Sequence, residues 1–208
     1  MLRLMLNDVE QSCENLPKYW GELLQALEEE AGEQGEVVTA VRFDGVDEPT
    51  FRDGPYAIVG LRDLASIEVE TATRRALIDE ALTQGVSAAD ALAAAAGRTS
   101  DTFRGGNIAG ANQHLSDLGE GIQTLLIALG TSSAALGVSL DRMEWSGQSV
   151  SARLTQMVGQ LESMIQAQQS HDWMTLADIL EYDVQPSLAD CRQVFGALQT
   201  HAARLEAA

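Results

Sequence analysis

Between residues 108 and 129 the apolar positions Ile108, Ala111, Leu115, Leu118, Ile122, Leu125 and Leu129 are spaced alternately by three and four, the repeat that aligns one side of an α-helix. A stripe of that length must be covered by other helices, which makes helix-on-helix packing the first constraint on the fold. Similar spacing runs through Leu2, Leu6, Val9, Cys13, Leu16, Trp20, Leu23 and Leu27, and through Val184, Leu188, Cys191, Phe195, Leu198, Ala202 and Leu205. Aromatic residues make up only 5% of a chain that is 45% hydrophobic. Close packing of Ala- and Leu-rich helices then supplies stability more readily than a broad sheet core. The expected class is mainly α: an antiparallel up-and-down helical bundle with a small β appendage of two or three short strands at about residues 37–71.

The divisions that follow are an N-terminal helical arm over 1–35, the β appendage over 36–71 and the helical bundle over 72–208. Within the arm, Asn15-Leu16-Pro17 interrupts the helix because proline lacks the N–H that a helix interior needs. Val37, Thr39, Val41 and Phe43 alternate with Val38, Ala40, Arg42 and Asp44, and Ile67, Val69 and Thr71 alternate with Ser66, Glu68 and Glu70; both runs have the period of a half-buried strand. Asp44-Gly45 reads as a turn. A helix is expected from Thr73 to about Thr83, a break at Gln84-Gly85-Val86, and a second helix from Ala88 to Phe103 with Ser87 as its N-cap. Gly105-Gly106-Asn107 separates this from the striped helix. A loop follows over 137–147, then a helix carrying Val150, Leu154, Met157, Leu161 and Met164. After Ser170-His171, Asp172 caps a last segment from Trp173 to about Glu206 that Pro186 bends.

The formal net charge is −18, and the first 70 residues hold 16 acids against 5 bases. Such a field repels phosphate backbones and anionic lipid, so neither nucleic acid nor a membrane is expected as a partner. MLRLMLNDVEQ is too short and too acidic for a secretory leader, and no run approaches the ~18 apolar residues of a membrane span; a cytoplasmic location is the expectation. Cys13 and Cys191 lie singly on apolar stripes without Cys-x-x-Cys spacing, which suits core packing rather than metal or redox chemistry.

Groups able to carry out chemistry are scattered. His114, His171 and His201 stand in unrelated surroundings, and no Glu has a His three residues onward, which removes the helical di-iron pattern. A metal-dependent phosphohydrolase using His114, His171 and Asp172 is the remote enzymatic alternative, because the His171-Asp172 dipeptide with an upstream histidine resembles the ligand order of the helical HD-type phosphohydrolases. An N-cap aspartate beside a turn histidine accounts for the same residues more simply. Gly105-Gly106-Asn107 lacks the following Lys-Ser/Thr of a phosphate loop and reads as a turn.

The densest polar and aromatic cluster is DWMTLADILEYDVQP at 172–186. On a helix, Asp178, Glu181, Tyr182 and Gln185 share one face, while Trp173, Leu176, Leu180 and Val184 share another. Trp173, Asp178, Glu181, Tyr182 and Gln185 are therefore the candidate partner-binding residues, an acidic strip suited to a basic or amide-rich segment. The stretch LADILEYDVQP at 176–186 resembles a segment of a family of uncharacterised bacterial helical proteins, from which this chain differs in having Asp183 in place of glutamate. FRGGNIAGANQHL at 103–115 and AQQSHDWMTLADIL at 167–180 also fall where the flagellin secretion chaperone has its turns, so that the layout over 88–205 is similar to that family. This similarity implies a bundle that wraps a helix of an unfolded export substrate.

Taken with the absence of a reactive cluster, these features predict a non-enzymatic protein-binding bundle that needs no cofactor and holds a partner helix in an apolar groove. Met143, Trp145, Met157 and Met164 are candidate groove residues, Met157 and Met164 fitting a core better. The alternative is a structural homo-oligomer in which a second copy closes the stripes at 2–27 and 184–205.

Overall fold

A computed structural model describes residues 2–145 and 147–206, which form two compact units, Met1–Leu77 and Ile78–Ala208. The first unit is not an arm with an appendage. Its elements are β1 (Arg3–Leu6), β2 (Val9–Gln11), α1 (Trp20–Glu33), β3 (Glu36–Phe43), β4 (Val46–Asp47), α2 (Gly54–Ala57), a 3-10 turn at Leu61–Asp63 and β5 (Ser66–Thr73). The strands build one five-stranded mixed sheet in the order β2-β1-β5-β3-β4, with β1 parallel to β5 and the other pairs antiparallel. The expected class of a mainly α bundle with a two- or three-stranded appendage is therefore corrected: the sheet is larger, and two of its strands come from the segment read as helix.

Local chemistry explains that correction. Leu2, Leu4 and Leu6 alternate with Arg3 and Met5, and Asn7 and Asp8 take φ of 49° and 64°. Two successive positive-φ residues of this type form the turn that fits the right-handed twist of a hairpin, so the chain reverses where a helix would have continued. Asp44 and Gly45 make the same turn between β3 and β4, with φ of 53° and 80°. Val41 with Phe43 and Ile67 with Val69 alternate inward, Val38 joins them across a bulge before Ala40, and with Leu4 they are buried against Trp20, Leu23, Leu24 and Leu27 of α1. Trp20 anchors this core. Its ring meets Phe43 edge-on at 5.1 Å, and its Nε1 donates to the Phe51 carbonyl at 2.9 Å, which satisfies the one polar atom that burial would otherwise orphan.

The second unit is an antiparallel four-helix bundle. Its helices are α3 (Arg74–Arg104), α4 (Ile108–Ala135), α5 (Val150–Gln169) and a composite fourth made of α6 (Trp173–Ile179), a π-helical turn (Leu180–Val184) and α7 (Gln185–Glu206). A small hairpin of β6 (Glu144–Trp145) and β7 (Gln148–Ser149) precedes α5, its first strand in the segment expected as loop and its second just past it. Cross-bonds give the directions. Thr83, Asp90 and Ser100 of α3 face Gln199, Arg192 and Ala177 in descending order. Asn112 of α4 meets Gln168 near the end of α5, and Gln160 of α5 meets Ser187 of α7. The core joins Leu82, Leu118, Ile122, Leu129, Met157, Leu180, Leu188, Phe195 and Leu198.

The break expected at Gln84-Gly85-Val86 is absent, and α3 is continuous through it. Ser87 is no N-cap: its hydroxyl donates to the Thr83 carbonyl one turn back. Gly85 is there for packing, since a Cβ on it would lie 2.4 Å from Cε1 of Phe195. The caps at the other helix starts follow from the residue types. Asn107, Ser149 and Asp172 accept from the amides of Gly110, Ala152 and Thr175. The bend expected at Pro186 takes the form of an interruption of the α-helix just before it. The turn before it widens, and Gln185 N–H donates five residues back to the Leu180 carbonyl. No helix among the described residues is long and apolar enough to cross a membrane.

Candidate functional site

The acidic strip is closed by a residue that the local sequence pattern does not show. Arg104, at the C-terminal end of α3, donates to Asp178 at 2.7 Å and forms a second, shorter ion pair with Glu181. The two carboxylates hold the guanidinium charged well above its ordinary pKa, chiefly through the Asp178 hydrogen bond. Trp173 is also engaged: its ring stacks on Phe103 with centroids 5.7 Å apart and planes 5° from parallel. Gln185 faces α3 at Gly97. Tyr182 is 65% exposed, with the Arg104 guanidinium 5.9 Å from its ring centroid, and Asp178 is exposed as well. The structure thus brings the five together along one helix but spends Asp178, Glu181 and Trp173 on fixing the composite fourth helix to α3. Arg104 could have been suspected as the last basic residue before Gly105-Gly106, where a cation suits the C-terminal end of a helix.

The three histidines do not gather. His114 lines a cleft between α3 and α4 with Arg98 and Asp117, His171 sits beside Trp173 at 5.3 Å, and His201 lies on α7 near Arg142 and Arg204. Asp172 is held as an N-cap by the amide and hydroxyl of Thr175, which lower its pKa, the amide contributing most. Among the described residues no three His, Cys, Asp or Glu side chains converge as a metal cage. Cys191 is buried, and burial pushes its thiol pKa up to about 11, the opposite of what a nucleophile needs.

Two clefts flank α5. One lies against α7 over the π-helical turn and has a volume of about 230 Å³. Several of the polar groups at it are paired: Arg153 with Asp190, Gln160 with Ser187, and Trp145 Nε1 with Asp190 at 3.3 Å. Met157 forms part of its floor and is buried, as is Met164 elsewhere in the core.

The other cleft, between α4 and α5, is different in kind. Asn112, Ser116 and Gly119 of α4 and Leu161, Ile165 and Gln168 of α5 border a depression of about 330 Å³. Helical spacing carries the α5 wall back from Ile165 and Leu161 to Val158, at i, i+3 and i+7. Val158 is 48% exposed and Ile165 53%. These apolar side chains stand beside the core stripe of Val150, Met157 and Met164 rather than on it, so α5 is apolar on two adjacent faces and the bundle covers only one. Gly119 has no atom within 4 Å of where its Cβ would be, which leaves the α4 backbone open to close approach. The sequence pattern contains this second stripe, but a core-seeking reading of α5 passes over Val158 and Ile165 because one stripe already suffices to bury a helix.

A family model matches residues 80–194, a span that takes in most of the bundle, and its description is Domain of unknown function (DUF8042). No curated protein and no solved structure matches the chain.

Proposed function

We propose that this chain, which belongs to the family described as Domain of unknown function (DUF8042), is a non-enzymatic protein-binding module whose bundle receives an amphipathic helix of another protein between α4 and α5. The observation that carries this reading is the exposed stripe of Val158 and Ile165 facing the shallow wall of Ser116 and Gly119. Burying an aliphatic side chain completely contributes ~1.5–3 kcal/mol. Covering what is still open of Val158 and Ile165 therefore contributes roughly 2 kcal/mol, part of what a helix-in-groove contact gains. Within the stripes at 2–27 and 184–205, Leu23, Leu27, Leu188, Phe195 and Leu198 are buried in the single chain while Val9 and Leu205 are exposed, which favours the helix-binding reading over closure by a second copy. The layout similarity to the flagellin secretion chaperone supports the same class of action, a bundle holding a helix of an export substrate.

The test is binding of an environment-sensitive hydrophobic dye to the folded chain, compared with Val158→Gln/Ile165→Gln at unchanged circular dichroism. Dye fluorescence that falls by half or more in the variant is the expected result; equal fluorescence overturns the groove. Light scattering in parallel gives 22.3 kDa for a single chain. A multiple of that mass that the double variant reduces to one chain moves the reading to self-association.

A further inference from the structure

The charges around the α4/α5 groove specify its occupant further, on the premise that the groove binds a helix. We infer that the partner helix is cationic: apolar residues at i, i+4, i+7 and i+11 seat on the stripe, and Lys or Arg residues flank them.

The argument starts from the two rims. α4 contains no Lys or Arg over its whole length, and α5 contains only Arg153. Arg153 points to the opposite side of α5, where Asp190 holds it. Glu120 follows Gly119 on the outward side of α4, and Glu162 follows Leu161 on the outward side of α5. Gly119 and Leu161 border the same depression, so the antiparallel pairing sets one carboxylate on each rim at about the same level. Both are exposed, and neither forms an ion pair or side-chain hydrogen bond among the described residues. A groove with an apolar floor, anionic rims and no cation of its own complements a helix of opposite charge, and the net charge of −18 draws such a helix in at long range.

The same charges argue against a second copy. Two-fold pairing through this face would set the Glu120 and Glu162 rims against rims of the same sign, with no Lys or Arg on α4 and the single Arg153 of α5 held by Asp190 on its other side.

The experiment uses the full chain and two 18-residue synthetic helices with leucines at i, i+4, i+7 and i+11, one flanked by Lys and Arg and the other by Gln at the same positions. The cationic helix is expected to bind about tenfold tighter at low salt, with its affinity falling as salt rises. Glu120→Gln/Glu162→Gln is expected to weaken it about threefold to tenfold, Val158→Asp is expected to abolish specific binding, and Glu30→Gln/Glu33→Gln on α1 is expected to leave it unchanged. Equal affinity for the two helices, each lost in Val158→Asp, overturns the charge inference and leaves the groove reading intact. Binding of neither helix overturns both. Cationic binding that ignores Val158→Asp and weakens equally in the two Glu→Gln variants overturns the inference as attraction to the acidic chain at large.

Discussion

Glycines inside helices look alike in a sequence and differ entirely in what surrounds them. Gly85 carries the ring of Phe195 where a Cβ would be, whereas Gly159 in α5 has open space there. Alanine gains up to about 1 kcal/mol over glycine in a helix interior when nothing obstructs it. Gly159→Ala is accordingly expected to stabilise the chain by about 0.5–1 kcal/mol. Gly85→Ala is expected to destabilise it by roughly 1–3 kcal/mol, because the Phe195 ring must be displaced within a packed core. Chemical denaturation midpoints at constant slope measure both. Arg104 teaches the same lesson in charge: its partners Asp178 and Glu181 lie more than 70 residues away in sequence, at separations of 74 and 77. The acidic face of 178–185 was legible from spacing alone; that it is occupied was not.

Among the elements, the start of α6 links a side chain to a pH response. Asp172 accepts from the amide and hydroxyl of Thr175, and both bonds favour the carboxylate, so its folded pKa lies below the unfolded one. A lowered carboxylate pKa contributes stability that is fully present above the unfolded value and is lost as pH falls through the folded one. Asp172→Ala should therefore lower the melting temperature by a few degrees at neutral pH. The gap from the parent chain should close as pH drops below about 3.8, the ordinary aspartate value. Thermal melts of the two chains across that range supply the measurement. The helices of the bundle were readable because their apolar periods are long and their caps are ordinary residues for the position. The N-terminal hairpin was not, because Leu2, Leu6 and Val9 satisfy a helical period while Leu2, Leu4 and Leu6 satisfy a strand period. Over so short a run neither count decides; Asn7-Asp8 does, as a turn pair.

For the whole molecule, charge is the dominant property. With 31 acids against 13 bases the chain repels itself, and compaction raises that cost. Added salt screens it, so the melting temperature is expected to rise between about 0.01 and 0.3 M sodium chloride, where the Debye length shrinks from ~30 Å toward a few ångströms. Scanning calorimetry at the two salts tests this. Both units share that acidity, but they are built by different means: one closes a half-buried sheet with a single helix, the other closes four helices on one another. The sequence alone determined that long amphipathic helices must bury their stripes together, where most of them begin, and that the surface is acidic, because period, cap chemistry and charge are local properties. Only the tertiary structure decided that Arg3–Leu6 and Val9–Gln11 pair as strands, that the acidic strip is held by Arg104, and that α5 keeps an uncovered apolar face. Each depends on which distant neighbours arrive at a surface, and side chains far apart along the chain carry no mark of one another until folding brings them together.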